Sequence, residues 1–134
     1  MSLTPNRRNL VDTNVQTTKA MPAAAANSTS TGLDIGAAGP DRERMFVRID
    51  LPVNSVLVAT KTIIFTLFDS ADNSTFAAAN PGVTYTITGD TGFPAQTVYL
   101  PIPPDAEQYV AVNAAVLTAG GDNTGTTATY SIVS

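Results

Sequence analysis

The stretch LPIPPDAEQYVAVNAAV, residues 100–116, joins three prolines to the clearest alternation of apolar side chains in the chain. The alternating residues are Val110, Val112, Ala114 and Val116. A period of two is typical of a strand with one buried face. Proline has no backbone N–H to donate to a sheet, so the prolines end the strand before them and stiffen the crossing to the next.

The same type of pattern recurs along most of the chain. MFVRIDL (45–51) places apolar residues on one face and Arg48 and Asp50 on the other. Further strands are predicted at TIIFTLF (62–68), VTYTIT (83–88), TVYLPI (97–102), QYVAVNAAVLT (108–118) and TTATYSIV (126–133), with GLDI (32–35) and VLVA (56–59) as weaker candidates. TIIFTLF is nearly all apolar, which is typical of a strand covered on both faces. Turn-forming residues separate these runs and no segment has a helical period, so we predict an all-β fold, a jelly roll or β-sandwich of about seven to eight strands.

The start of the chain has a different composition. Residues 1–31 are mostly polar, and MPAAAANSTSTG (21–32) is a run of small residues without a periodic apolar face. We therefore expect an extended N-terminal arm and linker over residues 1–31 and a jelly-roll domain over residues 32–134. VDTNVQT (11–17) alternates valine and threonine, a pattern that can add a strand to an exposed sheet edge. The first residues contain no apolar run of signal-peptide length, so synthesis in a cytoplasm is expected, with no membrane contact.

Charge is distributed unevenly along the chain. Residues 1–48 contain six basic and four acidic side chains, whereas residues 49–134 contain one basic and seven acidic side chains. This distribution predicts an acidic body with a mildly basic arm. The net charge of −4 has the wrong sign for general nucleic-acid binding, so no nucleic-acid partner is expected.

The residue types needed for most catalytic and metal sites are missing. The chain has no cysteine and no histidine, which removes thiolate chemistry, disulfides and the commonest metal ligand and general base. Asp90-Thr91-Gly92 matches the tripeptide of aspartic proteases, but its flanking Gly89 and Phe93 favour a hairpin turn. Asp69, Asp72 and Asn73 offer oxygen ligands for calcium, but without the spacing of an EF-hand they favour a solvated turn. We expect no catalytic residues, no metal site and no cofactor.

Five segments in order carry a family resemblance. They are GLDIGAAG (32–39), RMFVRIDLPV (44–53), TIIFTLFDSADNSTF (62–76), VYLPIPPDAEQYVAVNAAV (98–116) and TATYSIVS (127–134). Over roughly residues 32–134 the chain resembles the small cement, or decoration, proteins of tailed-phage capsids. The resemblance implies a jelly roll on the outside of the phage head that clamps neighbouring major capsid protein subunits. It also implies self-association, with a homodimer favoured and a homotrimer possible, and a place in the virion.

The arm is then expected to take part in capsid binding. Arg7, Arg8 and Lys19 are expected to meet carboxylates on the capsid subunit or on the acidic body of a neighbouring copy. Burial is expected from Leu10, Val11 and Val15. Two other functions remain open: a structural protein of a phage tail or fibre, and a carbohydrate-binding β-sandwich module. The chain has no tryptophan, and carbohydrate sites usually expose aromatic rings.

Overall fold

The computed structural model describes residues 11–36, 45–79 and 82–133. These residues form ten strands and contain no helix, so none long and apolar enough to cross a membrane occurs among them. The strands are β1 (Val11–Ala20), β2 (Asn27–Thr29), β3 (Leu33–Asp34), β4 (Phe46–Leu51), β5 (Thr62–Ser70), β6 (Ala77–Ala78), β7 (Thr84–Thr88), β8 (Gln96–Pro101), β9 (Tyr109–Val116) and β10 (Thr127–Val133).

The strands form two antiparallel sheets with jelly-roll connectivity. The first sheet has the order β1-β10-β4-β8, and the second has the order β2-β9-β5-β6. β2 and β3 both pair with β9, and β6 and β7 both pair with β5, so each of these pairs of short strands fills one position. Numbered in chain order, the first position pairs with the eighth and the third with the sixth in the first sheet. In the second sheet the second position pairs with the seventh and the fourth with the fifth. The predicted jelly roll of about seven to eight strands is confirmed.

The core lies between the sheets and follows the alternation in the sequence. In β4 the buried side chains are Val47, Ile49 and Leu51, and in β5 they are Ile63, Phe65 and Leu67. In β9 the predicted inner residues Val110, Val112, Ala114 and Val116 are all buried. Burying one large aliphatic or aromatic side chain contributes about 1.5–3 kcal/mol, so this row of side chains is the main source of stability.

One strand is less covered than its composition predicts. Of the outward side chains of β5, Ser70 is buried, Thr62, Thr66 and Phe68 are partly buried, and Ile64 is 39% exposed. The cover expected on both faces is therefore complete only on the core side. The neighbouring outward residue of β9, Asn113, is instead buried, and its amide donates to Asn27 and Thr29 of the β2 strand.

The structure differs from the expected arm and linker over residues 11–31. β1 is an edge strand of the first sheet, with Lys19 opposite Ala128 and Gln16 opposite Ser131 of β10. Met21 follows β1 and is only 1% exposed, and β2 joins the second sheet. An edge strand with one neighbour does not need a continuous apolar face, and for this reason its polar sequence did not indicate a place in the fold. Residues 1–10 lie outside the described residues.

Tyr130 of β10 is the one described residue with a buried side-chain polar atom that lacks a hydrogen-bond partner among the described residues. Its side chain is fully buried opposite Ile49, and this burial raises the pKa of the hydroxyl well above its ordinary value of 10.0. A buried hydroxyl without a partner costs about 1–3 kcal/mol. We therefore expect Tyr130→Phe to raise the free energy of unfolding by about 1 kcal/mol, as measured by urea denaturation.

The same substitution tests the pH dependence of stability. Because the folded-state pKa of Tyr130 is raised, the folded protein keeps a proton that the unfolded chain releases above pH 10.0, so stability falls as the pH rises past that value. Tyr130→Phe should remove this loss. Tyr85→Phe, at an exposed tyrosine, is the control and should leave stability unchanged. A clear loss of stability in Tyr130→Phe at neutral pH would show that the hydroxyl is hydrogen-bonded.

Candidate interaction surface

Only part of the binding set expected from the sequence lies in the described residues. Arg7, Arg8 and Leu10 lie outside them. The backbone of Val11 and Val15 belongs to β1, and Lys19 is exposed near the end of the same strand. The predicted alternation over residues 11–17 thus forms a strand on the edge of the chain's own first sheet. Of the expected binding residues, Lys19 is the one whose side chain falls within the described part of the chain.

A different surface is prominent at one end of the jelly roll. Two loops meet there, one between β4 and β5 and one between β9 and β10. They expose four large apolar side chains: Val53 (71%), Val56 (45%), Val58 (43%) and Leu117 (46%). We call these four residues the apolar rim. A cluster of exposed apolar side chains on a small domain is typical of a binding surface.

VLVA (56–59), in the loop that carries the three valines, was a weak strand candidate, and this prediction is wrong. Residues 56–59 form no ladder with any described strand. The side-chain oxygen of Asn54 accepts hydrogen bonds from the N–H groups of Val56 and Leu57, at 2.9 and 2.8 Å. Asparagine side chains that bond nearby backbone N–H groups favour turns over strands, so the chain bends here.

Asn54 also joins the two loops. Its amide nitrogen donates to the side-chain oxygen of Asn123 at 3.0 Å and to the hydroxyl of Thr126 at 2.7 Å. Asn123 in turn donates to the carbonyls of Gly120 and Gly121. We call Asn54, Asn123 and Thr126 the buried latch, since all three are at most 7% exposed. A buried polar network with every member hydrogen-bonded holds its surroundings in one arrangement.

Backbone hydrogen bonds fix the valine loop from both sides. Val58 donates to the carbonyl of Gly120, and Gly92 donates to the carbonyl of Leu57. Leu57, between the exposed valines, has no exposed surface and anchors the loop in the core. A rigid loop loses little entropy on binding, so an apolar surface held in this way is favourable for association.

Gly121 lies against two residues of the rim. Its φ is +92°, and a Cβ added there would stand 3.2 Å from Cγ1 of Val56 and 3.7 Å from Cγ2 of Val58. The two valine side chains therefore both approach the backbone of this glycine. This close approach requires a residue without a side chain.

The loop segments that form the apolar rim carry no charge. Residues 52–60 and 117–121 contain no Asp, Glu, Lys or Arg, and charged side chains occur only where these segments end, at Lys61 and Asp122. The hydroxyl and the N–H of Thr124 bond the Asp122 carboxylate and lower its pKa. Leu117 also lines a shallow groove of about 280 Å³ with Ile64 and Ala115, which extends the apolar surface onto the second sheet.

The Asp90-Thr91-Gly92 turn supports this end of the molecule. It lies between β7 and β8, which belong to different sheets, so it is a turn within a crossing and not the expected hairpin. Gly89 donates to the carbonyl of Lys61 and accepts from Thr60, while Phe93 and Asn54 exchange two backbone hydrogen bonds. The tripeptide therefore packs the connection from β7 to β8 against the loop between β4 and β5.

Asp69 and Asp72, which offer oxygen ligands for calcium, lie at the opposite end of the jelly roll from the apolar rim. Oδ1 of Asp72 accepts hydrogen bonds from the N–H of Thr75, the hydroxyl of Ser70 and the N–H of Ser74, which together lower the pKa of its carboxyl below 3.8. Asp69 accepts from the N–H of Glu107. Within the described residues no group of three or more possible metal ligands is found. Asp72 instead accepts hydrogen bonds from backbone N–H groups within an exposed turn.

One segment of the sequence carries a signal for the apolar rim. PVNSVLVAT (52–60) has three valines at every second or third position, no charge, and an asparagine two residues before the second of them. Only VLVA (56–59) was a strand candidate, and a weak one, because alternation alone does not separate a half-buried strand from a loop that exposes its valines.

Comparison with models of known protein families and with curated protein sequences finds no match.

Proposed function

We propose that this protein is a structural cement, or decoration, protein that binds the outside of a phage capsid and clamps neighbouring major capsid protein subunits. The observation that carries the proposal is the apolar rim, four exposed apolar side chains on two loop segments without charged residues that hydrogen bonds hold together at one end of the jelly roll. The resemblance of residues 32–134 to capsid cement proteins supports a major capsid protein as the partner. The protein resides on the virion exterior after synthesis in the bacterial host.

Clamping requires adhesion without large rearrangement. The buried latch and the backbone bonds of the valine loop hold the rim in place before binding, which lowers the entropic cost of association. Burying four large apolar side chains would contribute several kcal/mol, at about 25 cal/mol per Å². Repetition over a capsid lattice multiplies such contacts through effective concentration.

The basic residues of the N-terminal region supply a second contact in this proposal. Arg7, Arg8 and Lys19 pair with carboxylates of the capsid subunit, and Leu10, Val11 and Val15 add apolar contact. Lys19 is exposed at the edge of the first sheet and is available for such a pair. Exposed ion pairs are screened by salt, so this contribution falls at high ionic strength, whereas the contribution of the rim does not.

The proposal includes no catalytic step, cofactor or metal, and no nucleic-acid or membrane partner. It is supported by the absence of histidine and cysteine from the sequence and by the role of the Asp90 turn in packing. A clamp on a finished shell needs stability and contact area, and an apolar core between two sheets provides the first of these.

Binding to capsids tests the proposal. The double substitution Val56→Ser/Val58→Ser removes the centre of the rim without touching the latch, and it should reduce cosedimentation with capsids of the encoding phage by about tenfold or more. The control is Ala77→Ser/Ala78→Ser, which changes two exposed apolar residues at the opposite end. Full capsid occupancy by the valine variant would contradict the proposal, as would equal losses in both variants.

A further inference from the structure

The outward face of the first sheet carries a group of polar side chains beside an exposed aromatic ring. Arg48 of β4 lies directly opposite Tyr99 of β8, and Asp50 lies directly opposite Thr97. Directly opposite residues of antiparallel strands point to the same face, so the four side chains share one surface. We call these four residues the β4–β8 site. None of the binding residues expected from the sequence lies on either strand.

Tyr99 supplies the apolar part of this site. Its side chain is 43% exposed. Phe46 packs edge-on against it, with ring centres 6.4 Å apart and ring planes at 88°. This contact restricts the tyrosine ring at the surface, so the ring loses little freedom when a ligand covers it. The site therefore offers a flat apolar surface that is in position before binding.

Asp50 orients the polar part of the site. Its Oδ1 accepts hydrogen bonds from Nε of Arg48 at 3.0 Å and from the hydroxyl of Thr97 at 2.9 Å. Within the described residues, no partner is found for Oδ2 of Asp50 or for the two terminal nitrogens of Arg48. A guanidinium has five N–H donors, and one of them is used here, which leaves four. The site thus presents unused donors and an unused carboxylate oxygen next to each other.

These groups together select the chemical class of the ligand. The opposite charges of Arg48 and Asp50 cancel locally, so the site favours a neutral ligand over an ion of either sign. A purely apolar ligand would cover both charged groups without replacing their hydrogen bonds to water, which is unfavourable. A hydroxyl group both donates and accepts, so two hydroxyls on neighbouring carbons can bond the carboxylate and the guanidinium at once. A sugar ring carries such hydroxyl pairs and also has an apolar C–H face.

We propose that the β4–β8 site binds a neutral saccharide, with the C–H face of one pyranose ring on Tyr99 and two neighbouring hydroxyls of that ring hydrogen-bonded to Arg48 and Asp50. One ring can reach all three side chains, because Cβ atoms of directly opposite residues are about 4.5–5.5 Å apart. The site is an open sheet face with a single aromatic ring, so we expect a millimolar Kd for a monosaccharide. This inference goes beyond the proposed function and does not depend on it, since no residue of the apolar rim takes part.

A second exposed tyrosine lacks the polar partners of Tyr99. Tyr85 of β7 is exposed to a similar extent, at 41%. It lies opposite Phe65 of β5, and its own strand contains no charged residue. Tyr85 is therefore a matched control, because it offers a comparable ring without a guanidinium or a carboxylate on its strand or directly opposite it.

Titration of the purified full chain with sugars tests the inference without any capsid. The probes are the methyl pyranosides of glucose, galactose, mannose and N-acetylglucosamine, whose neighbouring hydroxyls include both equatorial–equatorial and axial–equatorial pairs. With at least one probe, at up to about 100 mM, two-dimensional NMR should show saturable shifts of the Arg48 Nε–H and of the amides of residues 46–50 and 97–99. Saturable shifts with inorganic phosphate and with none of the sugars would assign the face to an anion and overturn the inference.

Three variants assign the binding to particular side chains. Tyr99→Ala removes the apolar surface and Asp50→Ala removes the acceptor that also orients Arg48, so each should raise the Kd by about tenfold or more. Tyr85→Ala should bind the sugar as the wild type does. Circular dichroism establishes that each variant remains folded. No saturable shift with any of the four sugars would overturn the inference, and so would unchanged binding by Tyr99→Ala or equal losses in Tyr99→Ala and Tyr85→Ala.

Discussion

Replacing Gly92 by alanine is expected to lower the free energy of unfolding by about 3 kcal/mol or more, because the new side chain has no space and the backbone conformation does not suit it. Gly92 has a φ of +94°. A Cβ at this position would collide with the carbonyl of Asn54 and approach the Cα of Ser55 to 2.8 Å. Both contacts are with backbone atoms, which cannot move aside as a flexible side chain can.

Gly125→Ala is the matched control for this experiment. No atom lies within 4 Å of a Cβ added at Gly125, and its φ lies outside the left-handed region. Its stability should remain within about 0.5 kcal/mol of the wild type or increase slightly. Urea denaturation followed by circular dichroism measures both variants. Equal stability of Gly92→Ala and wild type would show that the crossing does not pack on the valine loop as described.

Replacing Asn54 by alanine is expected to cost about 3 kcal/mol, since it leaves several buried groups without hydrogen bonds. The groups that lose a partner are the N–H groups of Val56 and Leu57, the side-chain oxygen of Asn123 and the hydroxyl of Thr126. The hydrogen bonds of Leu57, Asn123 and Thr126 are buried, and the one from Val56 is partly buried. The total stability of a domain of this kind is about 5–15 kcal/mol, so the variant should melt well below the wild type.

Two further variants distinguish the contribution of the buried latch to stability from that of a neighbouring residue. Ser55→Ala changes an exposed neighbour and should have almost no effect on the melting temperature. Thr126→Val keeps the shape of the side chain and removes one acceptor of the Asn54 amide, so it should cost about 1 kcal/mol. If Asn54→Ala and Ser55→Ala were equally stable, the latch would not hold the two loops together.

The central strands could be predicted from the sequence, because burial on one face leaves a period of two. The inner residues of β9 and β4 were identified in this way, including Val112 and Ile49. β1 could not be assigned to the fold by the same reasoning. Its partner β10 lies more than a hundred residues away in the sequence, and a peripheral strand with one neighbour needs no regular apolar face.

The candidate surface was harder to predict than the fold. Val56 and Val58 alternate like strand residues, yet the side chain of Asn54 takes the N–H groups that a ladder would need. That competition depends on Asn123 and Thr126, which orient the Asn54 amide from about seventy residues away in the sequence. A local sequence pattern does not contain this information. For this reason the binding residues predicted from the sequence were the basic N-terminal ones and not those of the apolar rim.

Electron cryomicroscopy of the phage particle proposed to carry this chain tests the central claim most directly. We predict jelly-roll density on the outside of the capsid, with residues 52–58 and Leu117 against the major capsid protein and the Asp72 turn directed away from it. Substituting Val56 and Val58 together by serine should remove this density while leaving the capsid shell intact. Density for the chain on the tail, or on the capsid with the apolar rim facing solvent, would contradict the account.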